Sequence, residues 1–320
     1  MKKIIFFNLA FIILIIIFSE IMLRSIFNIN VQGISKNLIN TNLDYTFNNI
    51  NLKNAKAFGS DIFTDENGFR VSRDSKLRSS NENILFIGGS VTFGPAVNAE
   101  ETFVGLLNTY SKIEVKNASA FGSDLDNHYK ILRNLDLLNT KKIFISFSLD
   151  DINDSDIFLR EDIITEKTFK DKLKSNFLVS KIAHYLRSHS AIYVLAKNII
   201  FDNKNRYYLN DLSLYTNKKL IDKMNKDLKL ISKDFSKNNE IYFFLIPYSP
   251  QVSLNNCKKK DIAENIILES LKKYKFKSIY LKEDFCAEEK NKNFFLKFDH
   301  AHLSSKGHKF VFDKLKQYLN

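Results

Sequence analysis

From Asn83 to the C-terminus, short apolar runs alternate with stretches whose apolar residues recur every three or four positions. "NILFIGG" is a continuous apolar run ending in glycines, the pattern of a strand buried on both faces. "IEVKNAS", "KIFISFS" and "EIYFFLIP" repeat that form, and "KSIYL" is a weaker fifth. Between them, "EETFVGLLNTY" puts Phe103, Leu106, Leu107 and Tyr110 at helical spacing, and "DLDNHYKILRNLDLL" does the same with Leu125, Tyr129, Leu132 and Leu135. Helical pattern also covers 218–235 and 262–274, and the chain closes on "SSKGHKFVFDKLKQYL", with Ser304 as candidate N-cap. Strands alternating with helices predict an α/β fold: a three-layer, doubly wound, flavodoxin-like parallel sheet of about five strands. The stretch between the third and fourth strands is too long for a simple crossover, and a helical insertion over the strand ends is expected at about residues 156–222.

The N-terminus has a different pattern. "MKKIIFFNLAFIILIIIFSEIMLRSIF" is uncharged from Ile4 to Ser19, then interrupted by Glu20 before Ile21, Met22 and Leu23. The uncharged run alone would make a helix of about 24 Å, short of a hydrocarbon core of about 30 Å. Extension to Arg24, with Lys3 and Arg24 snorkelling, closes the gap. "FSEIMLR" is not a small-x-small cleavage site, so residues 1–27 are expected to be an uncleaved transmembrane signal anchor. Lys2 and Lys3 place the N-terminus in the cytoplasm and the rest of the chain outside the inner membrane, in the periplasm or beyond. Residues 28–57 are polar and Asn-rich without a clear period and read as a stalk. The domain is then 58–320, opening with "DIFTDENGFRVS" as strand, turn at Asn67-Gly68, and strand.

The chain has 320 residues, a hydrophobic content of 44% and only 3 Pro, enough for a substantial core and no long flexible linker. A net charge of +12 fits Lys-rich solvated faces, or an anionic lipid or acidic polymer as neighbour. No zinc-finger spacing, RNP-type segment or Arg-rich arm is present, so no nucleic-acid partner is expected. Cys257 and Cys286 can pair in an oxidising compartment or remain two buried thiols.

In a doubly wound sheet, function gathers beyond the C-terminal strand ends. Three ends carry unusual residues: Gly88-Gly89-Ser90 after the first strand, Asn117 to Asp124 after the second, and Asp150, Asp151, Asn153 and Asp154 after the third. "GGSVTFG" lacks the Lys of a P-loop and the third glycine of a dinucleotide fingerprint. Near the C-terminus, "FDHAHLSSKGH" places Asp299, His300 and His302 within four residues. Three readings stand: a metal site, a solvated polar turn, or the acid–base half of a catalytic site with its nucleophile elsewhere. A metal would need further ligands at matching spacing, and none is evident, so neither metal nor cofactor is expected. His308, His128, His184 and His189 sit in helical surroundings and are expected to be packing or surface groups.

From Asn83 to the C-terminus these blocks resemble the SGNH/GDSL hydrolases, a superfamily of esterases, lipases and acyltransferases. "GGSVTFG" is similar to the first block, "NASAFGSD" to the second, "SLDDIND" lies where the third falls, and "DHAHL" is similar to the fifth; "TDENGFR" and "SEIMLR" also resemble membrane-anchored bacterial members. The resemblance implies a Ser90–His302–Asp299 triad, with the oxyanion held by the backbone of Ser90, by Gly122, and by the third-block residue. That residue is Asp150 here, where the family has an Asn, and Gly89 replaces the usual block-one Asp. An ionised carboxylate cannot donate a hydrogen bond, so Asp150 is protonated, Asn153 replaces it, or the hole has only two backbone donors. The implied activity is serine ester hydrolysis of O-acyl groups on an envelope glycan or lipid. An O-acyltransferase using the same triad, or a catalytically impaired carbohydrate-binding module of this fold, are the alternatives.

Overall fold

The structure, a computed structural model, describes residues 2–38, 50–74, 82–153, 177–253, 256–288 and 293–319. Five strands form the central sheet: β4 (Asn83–Ile87), β5 (Glu114–Asn117), β6 (Thr140–Ser146), β7 (Glu240–Leu245) and β8 (Lys277–Tyr280). They lie in the order β5-β4-β6-β7-β8, and every pairing is parallel. The first of these strands is therefore internal, and the winding reverses between β4 and β6. That reversal opens a crevice at the C-terminal strand ends, where ligands bind in doubly wound sheets.

The sheet is covered on both faces, which is why its strands read as unbroken apolar runs. On one face Phe86 stacks on Phe144 with ring centroids 4.7 Å apart, and Phe144 stacks on Tyr242 at 4.9 Å. The three are cross-strand neighbours in register. Helices α3 (Phe103–Tyr110) and α11 (Ser305–Leu315) pack together there, and Phe103 meets both Phe86 and Phe244 edge-on. On the other face α4 (Leu125–Asn134) packs on α8 (Lys218–Phe235), which buries Leu220, Met224, Leu228, Ile231 and Phe235 along one stripe, and α8 packs on α9 (Ile262–Lys273). Ser304 caps α11, its hydroxyl accepting from Gly307 N. Cys257 and Cys286 are joined as a disulfide, tying the loop before α9 to α10 (Lys282–Glu288).

Before the sheet, α1 (Lys2–Ser25) is the one helix among the described residues long and apolar enough to cross a membrane. The segment after α1 differs from the expected stalk. Ile29, Val31, Leu38, Leu52, Ala55 and Ala57 are buried, and β1 (Ala55–Ala57) pairs with β2 (Ser60–Thr64), which pairs with β3 (Arg70–Val71). The described part of 28–57 is thus packed chain; 39–49 lie outside the described residues. Single apolar residues spaced among asparagines have no period, yet each fills a place against another element. The insertion holds α5 (Phe177–His189), α6 (Ala191–Phe201) and α7 (Asn203–Leu214), and its expected first part, 156–176, lies outside the described residues.

Candidate active site

The crevice is built from the loop ends that the sequence marks. β4 runs into Gly88 and Gly89, and Ser90 is the first residue of α2 (Ser90–Phe93). A side chain at Gly88 would lie 2.6 Å from Thr92 Oγ1 and 2.7 Å from Ser146 Cβ, so only glycine allows the strand to turn there. Gly94, at φ +76°, ends this one-turn helix.

Arg70 braces the same turn from outside the sheet. Its guanidinium donates to the carbonyls of Phe93 (3.0 Å), Gly94 (2.7 Å) and Val97 (2.6 Å) and lies over the Phe93 ring. Arg70 is buried, and burial lowers its pKa to about 9, with the Glu100 charge opposing. Asp65 shapes the approach by accepting from the N–H groups of Asn67 and Phe69. The stretch "TDENGFR" is therefore the support of the Ser90 helix, a role that sequence reasoning did not assign.

The loop before α11 supplies the other half. His302 Nε2 lies 2.9 Å from Ser90 Oγ. Its Nδ1 lies 3.0 and 2.9 Å from the two oxygens of Asp299, so the carboxylate fixes the ring with Nε2 free to accept from the serine. Asp299 Oδ1 also accepts from the N–H groups of Ala301 and His302, which holds the carboxylate itself. Burial pushes the Asp299 carboxyl up, but the charge and hydrogen bond of His302 outweigh it and hold the group well below the usual range. Burial likewise pulls His302 down, and Asp299 more than offsets this, leaving the imidazole raised. Phe58, in the β1–β2 turn, meets the His302 ring edge-on at 5.0 Å and shields it.

Ser90, Gly122, Ser148, Asp150, Tyr248 and His300 line a cavity of about 80 Å³ beside this chain of hydrogen bonds. Gly122 has φ +66°, and the N–H groups of Ser90 and Gly122 bond to nothing among the described residues. Both residues line the cavity, which makes their backbone N–H groups candidate donors to a tetrahedral oxyanion. Asp150 reaches the same cavity, and its Oδ1 accepts from the Tyr248 hydroxyl at 2.9 Å; Asn153 is not part of the lining. The neighbouring Asp151 is buried, accepts from Ser148 N, and is pushed far up by burial and then by the Asp150 charge.

His300 Nδ1 lies 3.9 Å from Asp299 Oδ1, while the far side of its ring meets the insertion. Its ring lies between those of Tyr207 and Tyr248, with Nε2 3.7 Å from Asp211 of α7. Burial and the Asp150 charge raise Asp211 to about 7. Among the described residues no three His, Cys, Asp or Glu side chains converge as a metal shell. His308 is buried on α11, its Nδ1 accepting from Phe103 N.

No protein-family model and no curated protein matches the chain. Solved structures do. The chain is similar to a lipolytic protein of the G-D-S-L family from Veillonella parvula, at 11% identity and TM-score 0.43 over 74% of this chain and 98% of that one. It is similar to a lipase/acylhydrolase from Enterococcus faecalis (12%, 0.42, 75% and 97%) and to the acetyl xylan esterase AlAXEase (15%, 0.44, 74% and 100%). At this identity residue roles do not carry over, and those given to Ser90, His302 and Asp299 rest on the distances above.

Proposed function

We propose that the protein is a membrane-anchored serine ester hydrolase of the SGNH/GDSL type, acting on O-acyl groups of an envelope glycan or lipid. The carrying observation is the unbroken series Ser90 Oγ–His302–Asp299 beside two unbonded backbone N–H groups. Ser90 Oγ attacks the ester carbonyl as His302 Nε2 takes its proton, and Asp299 stabilises the imidazolium. The tetrahedral oxygen accepts from Ser90 N and Gly122 N. Collapse expels the alcohol, which takes the proton from His302, and leaves an acyl-enzyme on Ser90. Water, deprotonated by His302, then releases the acid. A sugar hydroxyl in place of water would give transfer through the same steps.

Asp150 accepts from Tyr248, so the hole is read here as two backbone donors. The cavity of about 80 Å³ holds two or three water volumes of about 30 Å³ each. A cavity of this size favours a short acyl group such as acetyl. Placement outside the cytoplasm is supported by α1 behind Lys2 and Lys3 and by the Cys257–Cys286 disulfide.

The test is labelling of the purified full chain with a fluorophosphonate probe, beside Ser90→Ala, together with hydrolysis of p-nitrophenyl acetate and palmitate. Labelling lost in the variant and acetate preferred is the expected result. No labelling of the native chain refutes the activated serine; equal rates on palmitate refute the short acyl group alone.

A further inference from the structure

The end of α1 is fastened to the insertion and to the catalytic loop, and these attachments form one surface. Glu20 is the carboxylate that interrupts the apolar run. Its Oε1 accepts from Ala191 N (2.6 Å), and its Oε2 from Ile192 N and Ser190 Oγ (both 3.1 Å). It thus satisfies the first N–H groups of α6, at the positive end of that helix's dipole. Arg24 bonds Glu20 and reaches the His189 carbonyl at 2.6 Å, closing the junction between α5 and α6 against α1. Just past α1, Ile29 is buried with Ala191 and Val194, and Leu23 and Phe298 pack on that cluster. Phe298 immediately precedes the triad residue Asp299. Lys297 Nζ donates to the Phe27 carbonyl at 3.3 Å and lies over the Phe27 ring.

Glu20 lies one turn before Arg24, where the span ends, so α6 starts close to the depth at which α1 leaves the hydrocarbon. Only Ser19, Glu20, Met22 and Leu23 of the last turns of α1 are partly covered, so α6 crosses α1 at its end instead of running back beside it. The face of α6 turned from the cluster carries Ile199 at 71% and Ile200 at 69% exposure, and Ile182 of α5 is 52% exposed. Outside α1, most exposed large apolar side chains of the described residues fall at Ile26 and Phe27 or between Val179 and Leu209. Exposed apolar side chains concentrated on two adjoining helices mark an interaction site. Its continuity with an apolar helix that is itself uncovered identifies the partner as lipid.

We propose that α6, with Ile182 of α5 and the exit of α1, lies in the bilayer interface as a second, in-plane contact, and so holds the Asp299–His302 loop at the membrane surface. This rests on the reading of α1 as a membrane span. It places the site to meet an ester carried at the membrane surface.

The test uses the full chain in nanodiscs of phosphatidylethanolamine and phosphatidylglycerol, spin-labelled at one introduced cysteine; the native cysteines are bonded to each other. Ile200→Cys and Ile182→Cys report the surface, Ile13→Cys the interior of α1, and Lys229→Cys, exposed on α8, the aqueous side. The expected result is a ratio of oxygen to nickel-chelate accessibility several-fold higher at 200 and 182 than at 229. A ratio at 200 equal to that at 229, with 13 in lipid, overturns the proposal and leaves the anchor standing. A water-like ratio at 13 overturns both. Spin–spin broadening at 200 that fades on dilution with unlabelled chain assigns the face to a second copy and also overturns it.

Discussion

Replacing Asp299 by Asn tests the catalytic reading, since the amide keeps the shape but loses the charge, and its NH2 can turn to Nδ1 and hold the ring in the wrong tautomer. In the native chain the imidazolium formed during attack would sit 2.9 Å from a carboxylate oxygen. At an effective dielectric near 20, two unit charges at that distance attract by about 6 kcal/mol. At about 1.4 kcal/mol per tenfold in rate, this sets a ceiling of about four powers of ten. Burial of both groups offsets part of it and the reversed tautomer adds to it, so Asp299→Asn should slow p-nitrophenyl acetate hydrolysis by about 10³–10⁴, in line with triads that lose this carboxylate. The pH profile carries a second, independent sign. His302 must be neutral to act as base, so kcat/KM rises with pH through its pKa. Asp299 raises that pKa, so the native limb lies above the ordinary histidine value of about 6.5. Without the carboxylate, burial and the Arg187 charge favour the neutral ring against the smaller pull of Asp150, and the limb moves to lower pH. Rates within tenfold of native, or a limb that stays in place, would refute the triad.

Two other outcomes concern the scaffold. The disulfide closes a loop with a sequence separation of 29, worth about 3–4 kcal/mol in chain entropy, so Cys257→Ser with Cys286→Ser should lower the urea-unfolding free energy by that amount. Arg70→Met leaves three buried carbonyls unpaired behind Ser90, at about 1–3 kcal/mol each, so it should cost about 3 kcal/mol or more in the same assay and slow probe labelling of Ser90.

The sheet was legible because burial on both faces removes polar positions from its strands: "NILFI" and "EIYFFL" coincide with β4 and β7. The helices with one apolar stripe were legible for the same reason, and 218–235 matches α8 residue for residue. The hidden parts depend on partners far along the chain. β1 is three residues whose pairing with β2 gives no period to read. Ile29 and Leu38 gain burial only from elements they do not adjoin in sequence. The pairing of Cys257 with Cys286 was open because spacing does not fix a distance when two elements intervene.

The site divides along the same line. Asp299 and His302 were readable as a pair because three residues on one tight turn bring carboxylate and ring together locally. Telling His302 from His300 needs the turn's direction: the structure points one ring at Ser90 and the other at Asp211 on the insertion. The groups that hold the triad in place act over longer separations still. Arg70 reaches the Ser90 helix, Phe58 covers His302, and Phe298 ties the loop to the end of α1. All three contacts come from, or touch, the stretch between residues 23 and 70. The chain from the end of α1 through β3 is thus the part that couples α1 to the loop of Asp299 and His302. Shortening or replacing it as if it were a linker would disturb the catalytic loop before it disturbed the sheet.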